Sequence, residues 1–493
     1  MPDAVQPEAP PAAVVETHTA TLFFVGDRVY KLKKPVDLGF VDFSTREKRL
    51  AACHLEVDLN RRLAPDVYEG VADLTGPDGA LCDHLVVMRR MPEDLRLARC
   101  VERGDDVADA LRAIAHQVVA LHASAPSDPA WHHVAQIDGP DGLRRNWADG
   151  FDQLRPHLGD RVDREVGERS EALVHRYLDG RGPLIAGRIA AGRVREGHGD
   201  LQAEDAFCLP DGPRILDCLE FAPRYRWGDV LLDVAFLAMD LERLGRPDLA
   251  TRFLAWYREL SADTWPASLA HHDIAYRAHI RAKVGVLRSV QAGGPVPPAV
   301  TDLFALSLDH LERARVRLVV VGGLPGTGKS TVAAALGERL GAVVLRTDEV
   351  RRNLPAGAPG TPGSGIDRYD PAAVHTVYAV LLEEARELLG MGEHVVLDAT
   401  WADPAERAAA RAVAEATSAD LTELCCVLAP EVAAARIRAR SRAGTDLSEA
   451  TPDVAAAMAA RFAPWPEATE LDTAAPPGAP VDRAEQLVGP TTR

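Results

Sequence analysis

The stretch Gly323–Ser330, GLPGTGKS, follows the apolar run LVVV (Leu318–Val321) and leads into the helically spaced STVAAALGERL (Ser330–Leu340). Glycines let main-chain N–H groups close around an anion, and the first turn of a helix adds its own unpaired N–H groups. The pattern is G-x-x-x-x-G-K-[ST] in the strand–loop–helix setting it requires, which points to ATP or GTP. Gly323, Gly326, Thr327, Gly328, Lys329, Ser330 and Thr331 are therefore candidate nucleotide-binding residues. Lys329 is expected at the β- and γ-phosphate oxygens and Ser330 at Mg²⁺.

Further along, the strand-like AVVLRT (Ala342–Thr347) is followed by Asp348 and, three residues on, Arg351. This puts a carboxylate at the C-terminal end of a strand, where ligands bind in open α/β sheets. Asp348 is a candidate to orient or deprotonate an acceptor hydroxyl. HVVLDAT (His394–Thr400) ends its strand at Asp398, a candidate partner for a Mg²⁺-bound water, and ARIRARSR (Ala435–Arg442) crowds Arg436, Arg438, Arg440 and Arg442 into one segment, as a lid over phosphate would need. Singly, each has a plainer reading: Asp348 as a helix cap, the arginines as a solvated face. Together they resemble the small P-loop kinases, a group that includes gluconate, chloramphenicol and polynucleotide 5′-hydroxyl kinases, over about residues 316–464. The resemblance implies a parallel five-stranded sheet and a site containing Lys329, Ser330, Asp348, Arg351, Asp398 and Arg436 with Arg440. It does not name the acceptor.

At 493 residues the chain is longer than one ordinary domain, and a net charge of −17 speaks against a general nucleic-acid binder. Seven cysteines without a CxxC pair or zinc-like spacing fit reduced thiols. The start lacks the basic and apolar regions of a secretory signal, and the most apolar run, VLLDVAFLAMDL, is interrupted by Asp233 and Asp240. A cytoplasmic protein without a membrane span is expected.

Lysine usage gives a second lead. Six of the 56 Lys plus Arg residues are lysine, and three of the six lie in VYKLKKP (Val29–Pro35). An ammonium is a compact point charge on a flexible stem, whereas a guanidinium is a flat fork. A site that sets a small cation between phosphate oxygens resists the exchange; the plainer reading is a solvated strand end. TATLFFV, the turn Gly26-Asp27 and RVYKLKK read as a hairpin, followed by a helix over about Ser44–Leu63 and two further strands, VYEGVADL and HLVVMRRM. From Asp106 to about Arg288 the pattern is mostly helical, interrupted by the short strands and loops of REGHGDLQAEDAFCLPDGPRILDCLEF. QAGGPVPP (291–298) reads as a linker, with a helix over Thr301–Arg315 after it.

Inside that interruption His198-Gly199-Asp200 is followed five residues on by Asp205 and, at the end of the strand-like RIL, by Asp217. Protein-kinase-like enzymes space an aspartate base, a metal-holding residue and a second metal carboxylate in this way. With a strand-borne lysine far upstream, the set resembles the aminoglycoside-phosphotransferase-like family of small-molecule kinases, over about Thr19–Arg288. The resemblance implies Lys31 at the α/β-phosphates, with Lys33 on the same strand face as second choice and Lys34 facing away. It further implies a glutamate partner on the following helix, Glu56 in preference to Glu47. Asp200 would be the base, and Asp205 and Asp217 would hold Mg²⁺. The chain departs from the family where Gln202-Ala203-Glu204-Asp205 replaces a His-Pro-Gly-Asn type of run, and no G-x-G-x-x-G precedes VYKLKKP. Aspartate at 205 can ligate Mg²⁺ as asparagine does, but adds negative charge beside Asp217.

The expected architecture is an α+β protein-kinase-like two-lobed domain followed by an α/β P-loop domain with a parallel sheet. The expected boundaries are a tail at 1–15, a kinase-like domain at 16–290 (small lobe about 16–90, helical lobe about 91–290), a linker and bridging helix at 291–315, a P-loop domain at 316–470 and a tail at 471–493. The expected activity is ATP-dependent, Mg²⁺-requiring phosphoryl transfer to a hydroxyl of a small molecule such as a sugar, amino sugar or aminoglycoside-like compound, without nucleic-acid or membrane partners. Two alternatives stay open: one domain as an ATP-binding regulatory module, and the P-loop half as a polynucleotide 5′-hydroxyl kinase. Asp229 and Asp233 are expected to buttress the 198–205 loop, Cys218, Cys425 and Cys426 to be core, and His271-His272-Asp273 to be a helix surface.

Overall fold

The computed structural model describes residues 13–17, 19–37, 41–125, 139–221, 223–361, 366–367, 370–443, 451–476 and 478–489, except for the side chains of 140, 224 and 440–443. These residues form two compact units. Unit 1 takes the described residues up to His157, then Arg188–Thr264 and Asp273–Ser307; unit 2 takes Leu158–Gly187, Trp265–His272 and the described residues from Leu308 on. Among the described residues no helix is long and apolar enough to cross a membrane.

Unit 1 begins with strands β1 (Ala13–Glu16), β2 (Ala20–Val25), β3 (Arg28–Lys33), β4 (Tyr68–Thr75) and β5 (Leu81–Arg89), joined in one sheet in the order β1-β2-β3-β5-β4. The pairings β1–β2, β2–β3, β3–β5 and β4–β5 are all antiparallel. Gly26, at φ 59°, takes the first loop position of the β2–β3 hairpin, the position that demands glycine in one of the two common two-residue turns. Helix α1 (Arg46–Asn60) runs between β3 and β4; the Thr45 side chain caps it by accepting from the Lys48 N–H. Cys53 and Val57 of α1 pack with Val29, Tyr68, Val86 and Met88 of the sheet and with Phe207 and Leu216.

The rest of unit 1 is mostly helical. Helix α2 (Ala108–Ser124) and helix α3 (Val230–Arg243) belong to it, and α3 is buried at every position from Val230 to Leu241 except Leu232, as an all-round apolar helix must be. Two short antiparallel ribbons interrupt the helices: β6 (Val194–Glu196) with β9 (Trp227–Asp229), and β7 (Ala206–Leu209) with β8 (Gly212–Ile215). The loop 197–205 lies between β6 and β7.

Unit 2 is built on β10 (Arg317–Gly322), β11 (Val343–Arg346), β12 (Val395–Asp398), β13 (Asp420–Val427) and β14 (Thr469–Asp472), all parallel, in the order β11-β12-β10-β13-β14. Central strands of a parallel sheet are covered on both faces, and every residue of β10 and β12 is buried. Helix α4 (Lys329–Leu340) packs Val332, Ala333, Leu336 and Leu340 against Val319, Val321, Val396 and Leu424.

The structure changes several expectations. β1 puts Ala13–Glu16 into the sheet rather than into a tail. The segment after 470 contains the end of β14 and a helix over Gly478–Val488, whose Ala484 and Val488 join the core of unit 2. Residues 158–187 and 265–272, assigned by sequence to the first domain, pack with the C-terminal unit. Arg181 in the first of these segments is buried and donates to the carbonyls of Leu389 and Thr417. His272 and Asp273 are buried, not surface, and His271 Nδ1 lies 2.8 Å from His310 Nδ1. The bridging helix spans Pro298–Arg313, and the unit boundary falls inside it.

His394 carries a pH dependence. It is 5% exposed, and its Nδ1 accepts the Arg317 N–H at 3.3 Å, so a proton there would displace that bond. Burial, helped by Arg317 and Arg181, lowers its pKa from the ordinary 6.5 to about 4. On acidification the unfolded chain takes the proton first, so stability present at pH 7 is lost as pH falls from 6.5 towards 4. The full loss is about 3 kcal/mol. Amide exchange in β10 and β12, corrected for intrinsic rates, is expected to speed up between pH 7 and pH 5, and less so in His394→Gln.

Candidate active sites

The alternation of β3 sends Lys31 and Lys33 to the same face, where α1 brings Glu56. Lys31 Nζ lies 2.8 Å from Glu56 Oε1 and 2.7 Å from Asp217 Oδ1. Lys33 Nζ lies 2.7 Å from Glu56 Oε2 and also bonds Glu220. Lys34 points elsewhere, pairing with Glu16 at 2.9 Å in a more exposed setting. Burial works against ionisation of Glu56, but the two ammoniums hold its pKa below the ordinary value. Lys31 is likewise held well above its ordinary pKa by Asp217 and Glu56, against burial.

Asp217 sits two residues past β8 with φ 62°, in the left-handed region that few non-glycine residues visit. Its N–H bonds the Tyr68 hydroxyl at 3.1 Å, and the next N–H, of Cys218, bonds Asn60 Oδ1 at 2.8 Å. Asn60 in turn donates to the Glu56 carbonyl at 2.9 Å, so α1 carries both the partner of Lys31 and a clamp on the Asp217 turn. Lys31 is the main reason that Asp217 stays below the ordinary carboxylate range.

Asp200 and Asp205 come from the 197–205 loop. Burial is the main cause that pushes Asp200 up to about 6, with Asp217 adding to it and Arg281 and Arg277 opposing. Asp205 is held well above its ordinary value by burial, then by Asp217 and Asp200. The loop is fixed from behind by Asp233 of α3, which accepts the His198 and Gly199 N–H groups at 2.8 Å each and pairs with His122 of α2 at 3.0 Å. Asp229 instead pairs with Arg188 at 2.6 Å. Asp240 adds a second brace, accepting the Ala203 N–H at 2.9 Å.

In unit 2 the loop 323–328 connects β10 to α4. Gly326 (φ 82°) passes so close to helix α6 (Pro430–Ala443) that a Cβ would lie 2.6 Å from the Ala433 carbonyl oxygen; at Gly323 (φ 137°) it would lie 2.6 Å from that of Cys426. Only glycine fits at either position. Thr327 bonds Leu324 O at 2.8 Å, and Thr473 Oγ1 donates to Thr327 O at 2.5 Å. Arg436 of α6 donates to Thr473 O at 2.9 Å and comes within 3.5 Å of where a Gly328 Cβ would be. Lys329, Ser330 and Thr331 form the first turn of α4. Asp348 and Arg351 pair at 3.1 Å on the short helix α5 (Thr347–Asn353), just past β11. Asp398, the last residue of β12, bonds Arg346 at 3.0 Å through Oδ2. Its Oδ1 is buried with no hydrogen-bond partner among the described residues. The side chain of Arg440 lies outside the described residues.

Both sites fit a nucleotide carrying Mg²⁺. Asp398 offers an unsatisfied buried oxygen in one, and Asp205 and Asp217 crowd negative charge in the other. Among the described residues no group of three or more His, Cys, Asp or Glu forms a metal cage. Lys33, Asn60, Tyr68, Glu220 and Thr473 complete the two sites, and of these sequence reasoning had only Lys33, as a second choice.

A family model described as an AAA domain matches residues 318–465. An uncharacterized protein of Mycobacterium tuberculosis is 43% identical over 468 residues, covering 94% of this chain and 92% of that protein. A choline/ethanolamine kinase family protein from Mesorhizobium loti is similar over 61% of this chain and 92% of its own, at 13% identity and a TM-score of 0.37. A gluconokinase from Sinorhizobium meliloti is similar over 34% of this chain and 89% of its own, at 20% identity and a TM-score of 0.26. The N-terminal part carries the antiparallel sheet with its helices, and the C-terminal part carries the parallel sheet, most of it in the region that the AAA-domain model matches. The chain belongs to the family of the mycobacterial protein, with which its similarity spans both parts.

Asp233→Ala would leave the buried His198 and Gly199 amides without an acceptor. The expected cost is on the order of 3 kcal/mol, read as a lower urea midpoint for unit 1 with the exchange protection of β10 and β12 unchanged.

Proposed function

We propose that the chain is an ATP-dependent, Mg²⁺-requiring phosphotransferase acting on a hydroxyl of a small molecule, with a second nucleotide site in its P-loop unit. The observation that carries the reading is the meeting of Lys31, Glu56 and Asp217 within 2.8 Å, beside the loop that bears Asp200 and Asp205. ATP would supply the transferable phosphoryl group, and Mg²⁺ would neutralise charge on its oxygens. Lys31, held by Glu56, donates to phosphate oxygens, and Asp205 and Asp217 hold the metal. Asp200 orients the acceptor hydroxyl and accepts its proton. In the P-loop unit the N–H groups of 326–331 and Lys329 take the phosphates, with Ser330 and Asp398 on the metal side. Asp348 faces the acceptor with Arg351 beside it, and Arg436 covers the loop. Catalysis of this kind is positioning and charge neutralisation. The acceptor is expected to be a sugar, amino sugar or aminoglycoside-like compound, and nucleic acid and membrane are not expected partners.

The test is ADP release over a panel of hydroxylated metabolites, with Lys329→Ala silencing the P-loop site. An acceptor-dependent rate that Asp217→Ala lowers at least about a hundredfold, with the fold intact, supports the reading. A rate unchanged in Asp217→Ala would remove the metal assignment and the first active site with it.

A further inference from the structure

Lys33 is a buried ammonium that the proposed chemistry does not use. It is 2% exposed and touches no position where phosphate or metal is assigned, yet it bonds two carboxylates, Glu56 Oε2 at 2.7 Å and Glu220. Its Nζ also lies 4.9 Å from the centre of the Phe43 ring, so its stem and charge are enclosed on several sides. Burying a second cation beside Lys31 is costly unless it is fully paired. The pairing runs between elements far apart in the chain: Lys33 from β3, Glu56 from α1, and Glu220 three residues beyond Asp217.

A carboxylate bonded through one oxygen can swing about that bond, whereas one bonded through both has its plane fixed. Glu56 meets Lys31 with one oxygen and Lys33 with the other. Glu220, bonded to Lys33, stands on the same segment as the Asp217 turn, which Asn60 of α1 also grips. Without Lys33, Glu56 and Glu220 would face each other as buried like charges, and the only cation left on Glu56 would be the one needed for phosphate.

We propose that Lys33 is a positioning residue, which with Glu220 fixes the Glu56 carboxylate towards Lys31 and couples α1 to the Asp217 turn. This rests on the reading of unit 1 as a nucleotide site. Lys33 acts through Glu56 and does not contact nucleotide, and so differs in role from Lys31 two residues before it.

The experiment uses the full chain in a Lys329→Ala background and measures the Kd of the Mg²⁺ complex of a non-hydrolysable ATP analogue. Lys33→Met is expected to weaken binding about tenfold, and adding Glu220→Gln, which removes the excess charge, is expected to restore most of that loss. If Lys33→Met is too unstable to purify, Lys33→Gln carries the same comparison, keeping amide donors towards both carboxylates without the charge. An unchanged Kd in the single variant, or a double variant as weak as the single, would overturn the inference while leaving the site intact. No binding in the Lys329→Ala parent, or binding indifferent to Lys31→Ala, would instead overturn the reading of the site and the inference with it.

Discussion

A fully buried carboxylate, Glu56, stands between two ammonium groups, and the N-terminal unit is arranged around that contact. An ionised carboxylate without partners would be too costly to bury, and a lone pair of charges is often no better than apolar packing. Two lysines of one strand face satisfy both oxygens, which requires β3 and α1 to be in register. Asp217 and Glu220 then close the cluster from a turn more than 180 residues away in sequence, with three carboxylates against two ammoniums. Counted as ionised, the set carries one net negative charge.

The two candidate sites solve the same problem by different means. In the proposed reading unit 2 would approach phosphate with backbone, and Gly323 and Gly326 are needed because the neighbouring carbonyls of Cys426 and Ala433 leave no room for a side chain. Among its described residues unit 1 has no such loop, and in the same reading it would rely on side-chain charge, with the 197–205 loop braced from behind by Asp233 and Asp240 of α3. The braces matter because a loop that holds Asp200 and Asp205 against mutual repulsion needs its main chain fixed independently.

Much of this was legible in the sequence wherever the information is local. The glycine spacing before Lys329, the apolar run ending at Asp398 and the spacing of Asp200, Asp205 and Asp217 each read within a few residues. The period of two along VYKLKKP put Lys31 and Lys33 on one face but could not tell a phosphate contact from a buried brace, because both roles need the same side. Tyr68, Asn60 and Thr473 carried no local pattern; each matters through hydrogen bonds to distant backbone groups. The unit boundaries were hidden for the same reason. Residues 158–187 read as ordinary helix, yet they pack with unit 2, where Arg181 donates to the Leu389 and Thr417 carbonyls. The segment after 470, rich in proline and glycine, read as a tail, although Val481, Ala484 and Val488 are buried at intervals that suit one face of a helix.

The central claim is that one chain holds two nucleotide sites built on unrelated folds. It is tested most directly by the binding stoichiometry of a non-hydrolysable ATP analogue with Mg²⁺, measured by calorimetry on the full chain. The account predicts a value near two, falling to about one in Lys329→Ala, to about one in Lys31→Ala, and to none in the double variant. A wild-type value of one that Lys329→Ala abolishes and Lys31→Ala leaves untouched would contradict it.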